Sequence, residues 1–91
     1  MNEAEIDRLV ETGAALATYT VYENPRDFLG RWIVRRFVTI RGNAEPIADR
    51  EPLAVTGSIE SARAAIKKSC PGAVRFPRAP EDDPCIVEVW I

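Results

Sequence analysis

Between residues 3 and 17 the apolar positions Ile6, Leu9, Val10, Leu16 and Ala17, with Gly13 among them, recur at three- and four-residue spacing. That period predicts an amphipathic helix. Asn2 followed by Glu5 matches the reciprocal cap that satisfies free N–H groups at a helix start. Glu3, Glu5 and Asp7 crowd the first turns, where the helix dipole favours them. Gly13 opposes the prediction, since glycine costs about 1 kcal/mol relative to alanine inside a helix.

The pattern then changes to branched and aromatic residues. TYTVY (18–22) predicts a strand, ENPRD (23–27) a turn, and RWIVRRFVTIR (31–41) a longer strand pairing antiparallel with the first. GNAEPIADREP (42–52) reads as an exposed, mobile connection, and LAVT (53–56) as a short extended piece. Residues 59–69 form a second helical pattern. Ser58 caps it, Ile59, Ala62, Ile66 and Cys70 line its apolar stripe, and Pro71–Gly72 end it. AVRF (73–76) reads as a short strand, PRAPEDDP (77–84) as irregular, and CIVEVWI (85–91) as a strong closing strand.

Alternation assigns faces to the two long strands. In the last one, Cys85, Val87, Val89 and Ile91 form the expected core face, with Ile86, Glu88 and Trp90 opposite. In the arginine strand, Trp32, Val34, Val38 and Ile40 make an apolar face interrupted by Arg36. Arg31, Ile33, Arg35, Phe37, Thr39 and Arg41 make a mixed face. One apolar and one mixed face predict an α+β fold: a three- or four-stranded, mostly antiparallel sheet with two helices on one face. At 91 residues, positions 1–91 make a single domain.

A net charge of −2 and a pI near 5.1 argue against generic nucleic-acid binding, which draws its affinity from clustered positive charge. No apolar run is long enough to cross a membrane. The first ten residues are acidic, unlike a secretory leader, so the expected location is the cytoplasm. In that compartment Cys70 and Cys85 are expected to stay reduced, and whether they lie near each other is open. The chain has no histidine, which removes Ser–His–Asp and Cys–His nucleophile pairs and the commonest general base. No glycine loop cradles a phosphate, and Glu81–Asp82–Asp83 lacks the spacing of a calcium loop. The expectation is a protein without catalysis, cofactor or metal.

Four arginines and no acid in residues 31–41 carry the functional question. Arg36 would lie on the apolar face of a regular strand. A β-bulge at Arg35–Arg36 would turn both outward; a carboxylate such as Glu88 could pair Arg36 in place; or Arg36 could bind a ligand. On the mixed face, arginine alternating with aromatic and aliphatic residues fits either a solvated face or an interface, where Arg, Trp and Tyr are enriched.

The stretches YTVYENPRDFLGRWIVRRF and RFPRAPEDDPCIVEVWI resemble a pattern in small, uncharacterised bacterial and phage or prophage proteins, chiefly over positions 19–41, 58–69 and 74–91. No activity comes with that likeness. What it implies is a stoichiometric binder, a phage-type accessory or inhibitor that occupies a host protein or sequesters a small ligand. The first reading is therefore a protein-interaction module with Arg31, Trp32, Arg35, Phe37 and Trp90 as anchors. The alternative is a binder of an anionic or nucleotide ligand at a homodimer seam, through Tyr22, Arg35, Arg36, Arg75, Arg78 and Trp90.

Overall fold

Helix α1 spans Glu3–Glu11, and Asn2 caps it as its sequence predicts, the Oδ1 accepting the Glu5 N–H at 2.9 Å. It ends well short of residue 17. Gly13, at φ +79°, donates its N–H to the Val10 carbonyl, and Ala14 donates to that of Leu9. This left-handed pair of bonds terminates a helix, and glycine reaches it without the penalty a Cβ imposes. Gly13 is thus the stop signal, and Leu16 and Ala17 belong to the following strand.

The computed structural model describes residues 2–43 and 45–91. After α1 come β1 (Ala15–Glu23), β2 (Trp32–Ile40), β3 (Ile47–Ala48) and β4 (Ala54–Thr56). Helix α2 (Ile59–Ser69), β5 (Arg75–Pro77) and β6 (Ile86–Trp90) complete the α+β fold. The sheet has six strands, more than the three or four expected. Its order is β3-β2-β1-β6-β5, and β4 also pairs with β2. Every pairing is antiparallel.

The additional strands lie along the outer edge of β2. β4 pairs with Trp32–Val34 and β3 with Phe37–Val38. Between them the Asp49 and Leu53 N–H groups donate to the Arg36 and Val34 carbonyls. The connection expected to be mobile is thereby fastened to the sheet, apart from Ala44, which lies outside the described residues. Local pattern missed β3 because a two-residue strand has no period.

One sheet face is built from Ala17, Tyr19 and Val21 of β1, Trp32, Val34, Arg36 and Val38 of β2, and Glu88 and Trp90 of β6. Both helices cover it. Ala62 and Ile66 of α2 are fully buried in a cluster with Tyr19, Val21, Val34 and Trp90. From α1, Ile6 is buried and Asp7 reaches Arg36.

β2 is regular throughout its pairing with β1, so no bulge turns Arg36 outward. Arg36 is an ion pair on the helix side instead. Its Nε and Nη2 donate to the two Asp49 oxygens at 2.8 and 3.2 Å, and Nη2 also donates to Asp7 at 2.6 Å. Burial alone would lower its pKa, but the hydrogen bonds to Asp49 and Asp7 raise it, and the guanidinium stays charged.

The irregularity falls in β6. Val21 sits opposite Glu88 while Tyr22 sits opposite Ile86, so Val87 is the extra residue. This corrects the expected faces of the last strand: Glu88 and Trp90 point into the core, while Val89 faces the other side and Ile91 is 47% exposed. Glu88 is not the partner of Arg36. Its carboxylate accepts from Arg63 at 2.8 and 3.0 Å and from the Trp90 indole at 2.7 Å. Burial would raise its pKa, and the bonds from Arg63 and Trp90 more than offset that, holding it below the usual glutamate range.

Candidate functional site

Among the described residues, the opposite face of the sheet carries no helix. It is built from Leu16, Thr18, Thr20 and Tyr22 of β1, Ile33, Arg35, Phe37 and Thr39 of β2, Phe76 of β5, and Ile86 and Val89 of β6. Val74 and Ile91 extend it by one antiparallel pair, exchanging backbone hydrogen bonds at 2.8 and 3.0 Å.

The two ends of this face differ. Near the β1–β2 loop Ile33 and Thr20 are buried, and the exposed apolar side chain at that end is Val55 of β4, opposite Ile33. That loop is well held: the Gly30 N–H donates to Asn24 Oδ1 at 2.6 Å, Asn24 adopts φ +52°, and Pro25 is buried. Asp27 of the loop reaches back to Arg35 at 3.1 Å. Tyr22 lies among Arg35, Asp27, Asp82 and Asp83, and burial raises its phenol pKa above the ordinary value.

At the far end the face is open. Leu16 is 54% exposed, Val74 57%, Phe76 48% and Ile91 47%, and Phe37 and Val89 lie half-buried among them. Large apolar side chains gathered on an uncovered sheet face are unusual on an isolated domain. The patch continues into a groove of about 680 Å³, where Leu16, Ile40 and Ile91 meet Val10 of α1 and Cys70 beyond α2, with Arg41 also lining it.

The anticipated anchors divide between the faces. Arg35 and Phe37 lie on the open face as the alternation required, and exposed Arg31 closes the β1–β2 loop, its carbonyl accepting the Asn24 N–H. Trp32 packs half-buried against the helix-side core, and Trp90 is 6% exposed within it, so neither ring is presented to a partner. For Trp90 the reason is the bulge at Val87 together with the buried carboxylate its indole requires, and for Trp32 it is the regular alternation of β2, which puts it on the face of Val34. Sequence reading missed Leu16, assigned to a helix, Val74 and Phe76, read only as part of a short strand, and Ile91, assigned to the core face of the last strand. The signal available for Leu16 was Gly13 as a helix stop.

The residues of the ligand-binding alternative do not converge. Tyr22 and Arg35 are on the open face, whereas Arg36 and Trp90 are on the helix side. Arg75 lies at the β5 edge, 3.9 Å from Glu88, and Arg78 donates to the Ala79 and Asp82 carbonyls. Both cysteines are free thiols. Cys70 packs against the core, and Cys85 has its pKa raised by burial and by Asp83, which disfavours a nucleophilic thiolate. Among the described residues no group of three or more Cys, Asp or Glu side chains is placed to hold a metal ion, and no helix is long and apolar enough to cross a membrane.

Fold and site together define a small α+β domain with one structural and one open sheet face. Comparison with protein-family models, with curated proteins and with solved structures finds no match.

Proposed function

We propose that the protein is a non-catalytic interaction module that docks a protein partner on the open end of its sheet face. The observation that supports this most is the grouping of Leu16, Val74, Phe76 and Ile91, each about half exposed, on a face that no helix covers. Keeping such a patch in contact with water is unfavourable, and a partner that buries it gains the transfer free energy. On the opposite, helix-covered side, Arg36, Arg63 and Glu88 are committed to internal pairs, which argues for a structural role at those groups. In a phage-type accessory or inhibitor acting in the cytoplasm, the partner would be a host protein.

Recording ¹⁵N-edited amide spectra of the labelled protein in host cytosolic extract tests the reading. Amides of Leu16, Phe37, Phe76 and Val89 should broaden first, with α1 and α2 least affected. Broadening centred on the helices, or none beyond that caused by viscosity, would overturn it.

A further inference from the structure

We infer that the occupant of the open face is an acidic amphipathic helix, which rests on reading that face as a docking surface. The first reason is charge. Among the described residues, the strands present Arg35 to this face and Arg41 follows directly at the end of β2, while no strand side chain on the face is a carboxylate. Asp27, reaching over from the loop, pairs with Arg35, and Asp82 and Asp83 stand near Tyr22 at the loop end of the face; at the other end Arg41 is exposed and, among the described residues, makes no salt bridge. An apolar patch bordered at its open end by the exposed Arg41 guanidinium complements apolar side chains flanked by carboxylates.

The second reason is the state of the sheet edges. Addition of a strand needs a free row of backbone groups. On β5, Phe76 faces Val89 and Val74 exchanges bonds with Ile91, so alternation leaves Arg75 as the residue whose N–H and C=O point outward. The neighbouring Pro77 has no N–H to offer. A second copy pairing there would set Arg75 against Arg75. At the other edge β3 and β4 have only two and three residues. Charge, proline and short strands are how sheets discourage edge pairing, so recognition falls to the face.

The third reason is size. From β2 to β5 is three strand spacings, about 14 Å, and from Leu16 to Thr20 along β1 is about 13 Å. One helix, about 10–12 Å across with its side chains, covers that patch. The footprint is below the roughly 800 Å² per partner of a standard stable interface, which implies weak, reversible binding. It is also too small for a stable face-to-face dimer, in which the arginines of both copies would meet.

The test uses three fluorescent probes with the full-length protein: a helical peptide of about 15 residues with leucines at helical spacing and glutamates elsewhere, the same peptide with lysines for glutamates, and an oligouridine. The glutamate peptide should bind with a Kd of about 1–100 µM. Arg41→Glu or Phe76→Ser should weaken it about tenfold or more, and added salt should weaken it further. Both positions are exposed, so the fold tolerates the changes. Preference for the lysine peptide or for oligouridine would overturn the inference, as would a dimer that Phe76→Ser dissolves, or failure of all three probes. In that last case the spectra in extract decide separately whether the face docks any protein at all.

Discussion

Replacing Glu88 with glutamine tests the electrostatic centre of the fold with almost no change of shape. The residue is 1% exposed, and its side chain accepts three hydrogen bonds, two from Arg63 and one from Trp90. Oε2 accepts from both the Arg63 Nε and the Trp90 indole, while Oε1 accepts from the Arg63 Nη2. An amide has one acceptor oxygen. In its better orientation the oxygen keeps the two bonds at the Oε2 position, and the NH₂ group then meets the Arg63 Nη2 donor to donor. At least one charge-assisted bond is lost, worth about 1.5–3 kcal/mol, and removing one partner of a buried pair costs about 3–5 kcal/mol. Arg63 is half-exposed and regains some hydration, so a loss of about 2–4 kcal/mol is expected at pH 7.

The pH dependence has a definite sign. The folded-state pKa of Glu88 lies below the ordinary value, so its contribution is complete above the unfolded-state pKa of about 4.3 and is lost as pH falls through the lower folded value. The gap between wild type and Glu88→Gln should therefore be widest near neutrality and narrow in acid. Urea unfolding followed by tryptophan fluorescence reads it directly, because Trp90 is buried and Trp32 packs against the same core. A difference below about 0.5 kcal/mol, typical of an unimportant surface change, or one that is the same at pH 7 and pH 3, would refute the reasoning.

Three further outcomes follow from local geometry. Gly13→Ala should lower stability by about 1–2 kcal/mol in thermal melts through the left-handed backbone, since apart from neighbouring residues of the chain nothing lies within 4 Å of the added methyl. The two tyrosines, Tyr19 and Tyr22, should ionise above the ordinary value of 10.0 because burial disfavours the phenolate, so stability present below pH 10 falls as pH rises through their folded values; absorbance at 295 nm follows the ionisation, and a normal midpoint for either would contradict its burial. Asp7→Asn should weaken the clip between α1 and Arg36, and hydrogen exchange should quicken in α1 while α2 is unchanged.

The sequence disclosed most where a single residue type controls local geometry. Asn2 and Ser58 as caps, Pro71–Gly72 as a stop and the branched run of β2 all signalled their elements, and residues 59–69 match α2. Faces were harder to read, because alternation propagates any slip. One extra residue at Val87 reverses the assignment of Trp90, and the residue that makes its burial favourable, Arg63, is 25 positions from Glu88 in the chain. Arg63 flanks the apolar stripe Ile59–Ala62–Ile66, a position from which an arginine can reach over the sheet, but nothing local names its acid. The open patch was only half legible for a similar reason: Phe37 and Arg35 share a strand, whereas Leu16, Phe76 and Ile91 join them only through sheet order.

The four arginines of residues 31–41 therefore have separate roles set by the two-residue period of the strand. Arg36 falls on the helix side, where a lone guanidinium would be costly, and two carboxylates from α1 and the β3–β4 connection offset that cost while tying both segments to the sheet. Arg35, one position earlier, falls on the open side and is partly engaged by Asp27. Arg31 and Arg41 stand in water at the two ends. A slip of one residue in β2 would exchange Arg36 with Phe37, burying a phenylalanine beside Asp49 and Asp7 and leaving both acids without a cation. The ion pair thus fixes the register, and the register places Arg35 and Phe37 on the same face as Leu16 and Phe76. The buried arginine and the exposed patch are two consequences of one strand alignment, so weakening the Arg36 clip should disturb the proposed docking from the opposite side of the sheet.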